Sequence, residues 1–429
     1  MATMEQCKNY LNSVEGEKYL SNLYGDSSSI STVQRRRYSD LLELFHSIFS
    51  ENDHLSIISS PGRSEVGGNH TDHNGGRILA AAVDLDIVAI VARTDNDLIR
   101  VHSEGYPPSE VRISDLDVVK EERFTTSSLV RGIAARFRQL GLEIGGFDAA
   151  ATSRVPKGSG LSSSAAYELL IATTLNDLYN QGQVDKVLLA KTGQYAENQY
   201  FGKPCGLMDQ TTSAVGGFVT IDFKDFDYPV IRKVDFNFDR SGYSMVIVDT
   251  ADDHADLSDE YQAIEKEMKS VAQVFGSRVL REISEEMVME NLSILRSKVS
   301  DRAVLRAIHF FQDDRRVVQQ VEALESNDFA RFLSLINKSG TSSWTLLQNC
   351  YSSKSIEHQG IPIALTASKA LLKERGAWRV HGGGFAGTIQ AFVPNEALPL
   401  YIDKIEQIFG QGSCHIVRVR PEGAVKVPC

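Results

Sequence analysis

The chain has 429 residues, which at roughly 150 residues per domain gives two or three domains, each able to bury its own core. With 42% hydrophobic and 24% charged residues it has ordinary globular composition, which excludes a disordered or fibrous chain. Lys and Arg number 45 against 56 Asp and Glu, and the net charge of −11 repels nucleic acid and anionic lipid at long range. A nucleotide phosphate stays admissible, because a glycine-rich loop or helix N-terminus binds it locally.

Five widely spaced cysteines, Cys7, Cys205, Cys350, Cys414 and Cys429, contain no CxxC pair, so neither a disulfide framework nor a zinc knuckle is expected. A reducing, cytoplasmic setting fits this usage. The N-terminus has no basic start followed by an apolar run. The most apolar stretch, Ile78 to Ala92, is interrupted by Asp84 and Asp86, so neither a signal peptide nor a membrane span is expected.

In chain order, Leu41, Leu44, Phe45, Ile48 and Phe49 recur at helical spacing and predict an amphipathic helix before the first strand. Arg35, Arg36 and Arg37 could form a phosphate-binding patch but read first as a solvated helix face or N-terminal arm. From His54 to Ala92 the pattern is a short strand, a glycine-dense turn and a long half-buried strand. Two helices with linking strands should precede a strand at Phe147 to Ser153. A long helix follows, with Ala165, Leu169, Ala172, Leu175 and Tyr179 as one apolar stripe. Beyond about 230–260 the sequence turns helix-rich and charged, and it ends in strand-like sequence around Gly382 to Gly384.

Four segments carry chemistry. Residues 155–170, VPKGSGLSSSAAYELL, join glycines to hydroxyls at a helix start, which suits a phosphate. It is not a Walker A loop, since Lys157 precedes the glycines, and the serines would serve equally as helix caps. Residues 61–76, PGRSEVGGNHTDHNGG, offer Asn69, His70 and Asp72 to a polyol, while His70, Asp72 and His73 form a rival metal set. In residues 193–210, Glu197 could hold Mg²⁺ and Asp209 could accept a hydroxyl proton, although lone carboxylates are commonly structural. Residues 379–392 supply a late glycine loop, which a tight strand connection would also explain.

In this order and at these separations, the segments resemble the GHMP kinases and, within them, the galactokinase family. The family's sugar motif GR-V-N-L-I-G-E-H-T-D-Y-N-G-G matches Gly62 to Gly76, its phosphate loop P-x-G-x-G-L-S-S-S-A matches Pro156 to Ala165, its A-E…C-G-I-M-D-Q element matches Ala196 to Gln210, and its G-G-G-F-G-G loop matches Gly382 to Gly387. The resemblance implies an α/β (α+β) two-domain fold, with an N-terminal domain like ribosomal protein S5 domain 2, a ferredoxin-like C-terminal domain and the active site in the cleft between them. The units would be a helical arm over 1–50, a sugar- and ATP-binding domain over 51–230 and a C-terminal domain over 231–429.

It further implies ATP on Gly158, Ser159, Gly160, Leu161, Ser162, Ser163, Ser164 and Ala165, Mg²⁺ on Ser164 and Glu197, Asp209 as base with Arg63 beside it, and the sugar on Asn69, His70, Asp72 and Tyr261. Tyr261 is matched only through its spacing from His254. The implied reaction forms a sugar 1-phosphate, most directly galactose 1-phosphate. Sugar and ATP would be its partners, with no nucleic acid, membrane or obligate protein partner. Departures concentrate at the sugar motif. Glu65 replaces Asn, Gly67 an apolar residue, Asn69 Glu and His73 Tyr, while Ala386 replaces Gly in the late loop. An amide at 69 would admit a carboxylate on the sugar, so a uronic acid or amino sugar is the alternative substrate, and an ATP- and sugar-binding sensor the alternative class.

Overall fold

The computed structural model describes all residues except 1, 27, 51, 157, 252–256 and 355. The chain opens with three helices, α1 (Met4–Leu11), α2 (Val14–Tyr24) and α3 (Ser28–Ile48). A reciprocal cap starts α1: Thr3 Oγ1 accepts from the Gln6 amide while the Gln6 side chain accepts from Thr3 N–H. The expected amphipathic helix is the second half of α3, whose Leu41, Leu42 and Phe45 are buried.

The next elements build one sheet and the helices that cover it. They are β1 (Ser56–Gly67), β2 (Arg77–Arg93), β3 (Leu98–Ser103), β4 (Ser109–Arg112), α4 (Thr126–Gln139), β5 (Phe147–Ser153), α5 (Ser163–Tyr179), α6 (Lys186–Ala196), α7 (Met208–Val215), β6 (Phe218–Asp222) and β7 (Val230–Val234). Of the two helices expected before Phe147 only one α-helix, α4, forms between β2 and β5; the β3–β4 hairpin and a single 3-10 turn (Lys120–Glu122) precede it. The strand order is β4-β3-β5-β2-β1, with the β6–β7 hairpin along the first half of β2.

Strand β2 alternates between two cores rather than between core and water. Ile87, Ala89 and Val91 face α4 to α7, and Val88, Ile90 and Ala92 face the arm. The half-buried strand expected from the sequence is thus buried on both sides, because the arm covers its second face. Helix α5 is likewise buried nearly all round rather than along one stripe.

The second half contains β8 (Tyr243–Asp249), α8 (Ser258–Val274), α9 (Glu285–Glu290), α10 (Leu292–Lys298), α11 (Asp301–Glu325), α12 (Phe329–Ser342), α13 (Gly360–Leu372), β9 (Ala377–Val380), β10 (Thr388–Pro394), α14 (Leu398–Phe409), β11 (Cys414–Val417) and β12 (Val425–Val427). Strands β11-β8-β10-β9 form an antiparallel sheet. Its Val246, Val248, Ile389 and Val393 pack on α13 and α14. Its Met245, Ile247 and Phe392 join the main core with α11 and α12. The chain then returns, and β12 pairs with β1, setting Val427 opposite Ile57.

The arginine triplet is not uniformly solvated. Arg36 is exposed, but Arg37 is buried, donating to Asp86 Oδ1 at 2.6 Å and to the carbonyls of Asp86 and Thr152 at 3.1 Å. Tyr24 and Arg420 bind the same Asp86 carboxylate at 2.6 and 2.9 Å. Two cations and the hydroxyls of Tyr24 and Ser59 make burial of this charge tolerable, and Arg37 and Tyr24 tie the arm to the sheet.

Candidate active site

The glycine-dense segment begins as strand, not turn. β1 runs to Gly67 with register shifts at Pro61/Arg63 and Glu65/Gly67, which re-aim Arg63. A Cβ on Gly62 would lie 2.7 Å from the Leu161 carbonyl, so only glycine lets the strand lie against the loop before α5. Arg63 N–H donates to Leu161 O at 3.0 Å. Its guanidinium holds Asp209 Oδ1 at 2.8 and 2.7 Å through two nitrogens and reaches Gly160 O with the third. Asp209 stands in the first turn of α7 with its other oxygen accepting from Ser162 Oγ. Arg63 is 8% exposed and Asp209 27%, so the carboxylate is the member open to a substrate.

The loop from Pro156 to Ser162 turns through left-handed backbone at Gly158, Gly160 and Ser162, with φ of 78°, 71° and 55°. Leu161 and Ala165 are fully buried and anchor it. Ser162 makes no cap bond to α5, so the capping explanation fails for this serine, whose hydroxyl goes to Asp209. The opening amides of α5 have no partner within the helix and, beside Ser163 and Ser164, offer donors that suit an anion. Lys157 lies outside the described residues.

Behind Asp209 sit two buried carboxylates. Glu197 begins a π-helical turn (Glu197–Phe201) after α6, and Glu168 lies one turn along α5 from Ser164. Gln210 Nε2 donates to both, at 3.0 Å to Glu197 and 2.9 Å to Glu168. Burial pushes the Glu168 acid well up, with the Glu197 charge adding to it. Burial also raises Glu197, partly offset by the Cys205 thiol and Lys203. Burial and Glu197 push the Cys205 thiol itself up, leaving it inert.

The sugar-motif residues close around the late glycine loop. His70, in left-handed backbone, places Nε2 2.9 Å from the Gly383 carbonyl, and its ring stacks on Tyr261 at 6.4 Å between centroids. Tyr261 OH donates to Gly384 O at 3.2 Å, and a Cβ on Gly383 would meet its ring at 2.4 Å. The structure therefore brings Tyr261 to His70, although His254 lies outside the described residues. Asp72 reaches toward Gly206, where a Cβ would lie 2.8 Å from its carboxylate, so it adjoins the segment bearing Asp209.

Asn69 behaves differently from the expectation of a sugar contact. It is fully buried, its amide donates to Glu65 at 2.9 Å and Gly382 O at 2.8 Å, and its oxygen accepts from Asn349 at 2.9 Å and Ser343 at 3.2 Å. Its backbone N–H goes to Asp313 and its carbonyl meets His309, both at 2.9 Å. Every hydrogen-bonding atom of Asn69 is thus engaged by protein, and it holds the loop in place.

The sequence reading passed over several of these groups. Glu168 follows Ser164 at helical i+4 spacing, Gln210 closes the quoted element beside Asp209, and His309 and Asp313 share one face of α11. His381, just before the glycine triplet, bonds Ser64 and Thr388 at 3.0 Å and would meet a Cβ on Gly160. Arg379 was missed because its partner, Glu65 at 2.7 Å, is more than three hundred residues away. Among the described residues no group of three or more His, Cys, Asp or Glu could hold a metal, so the metal reading of His70, Asp72 and His73 finds no support. A groove of about 1340 Å³ between α12 and α13 is lined by none of the candidate residues.

Family models match two stretches of the chain: the GHMP kinases N terminal domain over residues 128–217, and the galactokinase galactose-binding signature over residues 43–93. Among solved structures, galactokinase from Lactococcus lactis, complexed with galactose, superposes with a TM-score of 0.78 at 23% identity, covering 91% of this chain and 100% of that one. Mevalonate kinase from Methanococcus jannaschii gives 0.61 at 16% identity, covering 85% and 98%. Phosphomevalonate kinase from Streptococcus pneumoniae gives 0.58 at 15%, covering 87% and 99%. The architecture is that of the two-domain GHMP kinases. Within that architecture the chain carries a match to the GHMP kinase N-terminal domain and, ahead of it, to the galactose-binding signature of galactokinases.

Proposed function

We propose that the protein is an ATP-dependent sugar 1-kinase that converts galactose and ATP to galactose 1-phosphate and ADP. The observation that carries this reading is the Arg63–Asp209–Ser162 constellation, which joins the sugar strand, a carboxylate open to substrate and the phosphate loop in one hydrogen-bonded unit. Phosphoryl transfer requires alignment and charge neutralisation more than covalent help. Asp209 accepts the proton of the attacking anomeric hydroxyl. Arg63, fixed by Gly160 and Leu161, keeps that carboxylate aimed and stands beside the charge that develops on the phosphate. The amides opening α5, with Gly158 to Ala165, hold the phosphates of ATP. His70, Asp72 and Tyr261 bind the sugar, while Asn69 positions the loop that carries them.

The residues present fit Mg²⁺. Two buried carboxylates share one amide donor, Glu168 Oε1 has no partner, and the nearest cation, Lys203, is 4.0 Å from Glu197. A divalent cation would supply the missing countercharge, and oxygen donors suit it. Ser164 and Glu197 would hold it, and it would neutralise charge on the phosphates of ATP.

The test is ADP release with Mg-ATP over galactose, galacturonate, N-acetylgalactosamine, glucose and arabinose, with NMR locating the phosphate. Galactose 1-phosphate is the expected main product, and silence on every sugar would overturn the kinase reading. A second reading, a galacturonate kinase, is favoured by one observation. Residue 69 carries no charge, and the motif's carboxylate sits instead at Glu65, bound to buried Arg379. Preference for galacturonate in the same panel would select it.

A further inference from the structure

Two cysteines outside the active site meet where the arm and the returning last strand converge. The β1–β12 register, with Ile57 opposite Val427, carries Cys429 level with Leu55. Leu55 in turn exchanges backbone hydrogen bonds with Ala2 at 2.8 and 2.9 Å, directly ahead of α1. Cys7 lies in α1, wholly buried in the same apolar cluster as Leu55, Ile57 and Val427, and the half-buried Cys429 packs against that cluster. Cys429 Sγ lies 3.9 Å from the Val427 carbonyl, on the strand whose Val427 packs in the same cluster as Cys7.

We propose that Cys429 and Cys7 form a thiol modification site for low-molecular-weight disulfides, with Cys429 the attacking and Cys7 the resolving sulfur. Cys429 is the more exposed of the two, so an incoming disulfide reaches it first. Its thiolate attacks one sulfur of the small disulfide RSSR, forming a mixed disulfide and expelling RS⁻. Cys7 gives up its proton and attacks Cys429 Sγ, expelling a second RS⁻. The net change is two protein thiols and RSSR to one protein disulfide and two RSH, so protons and electrons balance.

The surroundings favour selectivity. The neighbouring Cys7 draws the Cys429 thiol down to about 7, with Lys426 adding to it, and the Cys7 thiol is itself pushed well up. Burial pushes the Cys350 and Cys414 thiols up to about 12 and Cys205 higher still. The thiolate is the reactive form, so Cys429 outcompetes the other three.

The full chain, incubated with glutathione disulfide near neutral pH, acid-quenched and peptide-mapped, tests this. The expected result is a Cys7–Cys429 cross-linked peptide and an intact mass lower by two hydrogens. Cys7→Ser should stop at a single glutathione adduct on Cys429, and Cys429→Ser should give neither product. Equal modification of Cys205, Cys350 or Cys414, an adduct at Cys429 that persists in the unmutated chain, or no reaction would each overturn the proposal. The unmutated chain alone decides between these outcomes should Cys7→Ser fail to fold.

Discussion

The Glu65 carboxylate accepts a 2.9 Å hydrogen bond from the Asn69 amide, and the same oxygen takes a 2.7 Å bond from Arg379. The galactokinase motif has Asn where Glu65 stands and Glu where Asn69 stands, so two side chains in contact have traded identities. The carboxylate is retained, withdrawn by four residues onto a buried guanidinium. Asn69→Glu alone should therefore destabilise the fold by about 3 kcal/mol, since it buries a second carboxylate against Glu65 and the Gly382 carbonyl. The double exchange Glu65→Asn with Asn69→Glu keeps one carboxylate and should recover most of that loss. Urea unfolding of the three proteins checks the stability order. The ratio of kcat/KM for galactose and galacturonate in the double variant then shows whether the displaced charge selects the sugar.

Asp209→Asn should lower kcat by about 10²–10⁴-fold while leaving ATP affinity close to that of the unmutated protein, because the amide cannot take the proton and the phosphate loop is built from other residues. Isothermal titration with a nonhydrolysable ATP analogue, beside steady-state kinetics, separates the two effects. Equal loss of both would make Asp209 a support for Ser162 and Arg63 rather than the base.

Much of this site was legible in the sequence, for a definite reason. The phosphate loop, Asp209 and the sugar motif are contiguous strings whose glycines and carboxylates carry their own spacing. The helix after Ser162 and the strand from Phe147 to Ser153 were readable from local periodicity. What escaped was non-local. Arg37 resembled surface charge because its partner, Asp86, is 49 residues away, and β2 looked half-buried because the covering arm cannot be seen from β2 itself. Asn69 looked like a ligand contact because its neighbours Ser343, Asn349 and Gly382 come from the other half of the chain.

Glu168 and Glu197 should respond oppositely to neutralisation. Burial, with the Glu197 charge adding to it, pushes the Glu168 acid well above its ordinary range, and Glu168→Gln is nearly isosteric with the protonated acid. Its stability should stay within about 1 kcal/mol of the unmutated chain, with turnover largely kept. Glu197→Gln should instead raise the Mg²⁺ concentration needed for half-maximal rate by at least about tenfold. Mg²⁺ titrations of ADP release at saturating sugar and ATP read both effects.

His73 is buried, and its folded-state pKa is lowered to about 4 from an ordinary 6.5, chiefly by desolvation. Protonation thus favours the unfolded chain first. The stability contributed by neutral His73 is present above about pH 6.5 and is lost as pH falls toward 4, at about 1.4 kcal/mol per pH unit. His309 and His381 are lowered by burial too and add to the same slope. His73→Tyr, the family's residue, should make the fall between pH 6 and 5 shallower by about one proton's worth. Denaturant titrations at those two values measure it, and an unchanged slope would mean that His73 takes up its proton in the folded state.

Asp86 answers acid through the complementary linkage. Burial alone would raise its pKa, yet Arg37 and Arg420, with hydroxyls from Ser59 and Tyr24, hold the carboxyl below its ordinary range. The stability from this group is present above its unfolded value of about 3.9 and disappears as pH falls through the lower folded value. Asp86→Asn removes the charge and leaves Arg420, which is wholly buried, facing an amide. The loss at pH 7 should be about 3–5 kcal/mol, because an uncompensated buried cation costs more than the pair contributes. Arg37→Met should cost less, since Arg420 still balances the carboxylate, but it should free the arm. Limited proteolysis of the arm should then become faster while kcat holds, because the described arm residues pack on the sheet through Ile57, Val88, Ile90 and Ala150. Loss of kcat in Arg37→Met would instead mean that the arm acts on the phosphate loop through the Thr152 carbonyl that Arg37 binds.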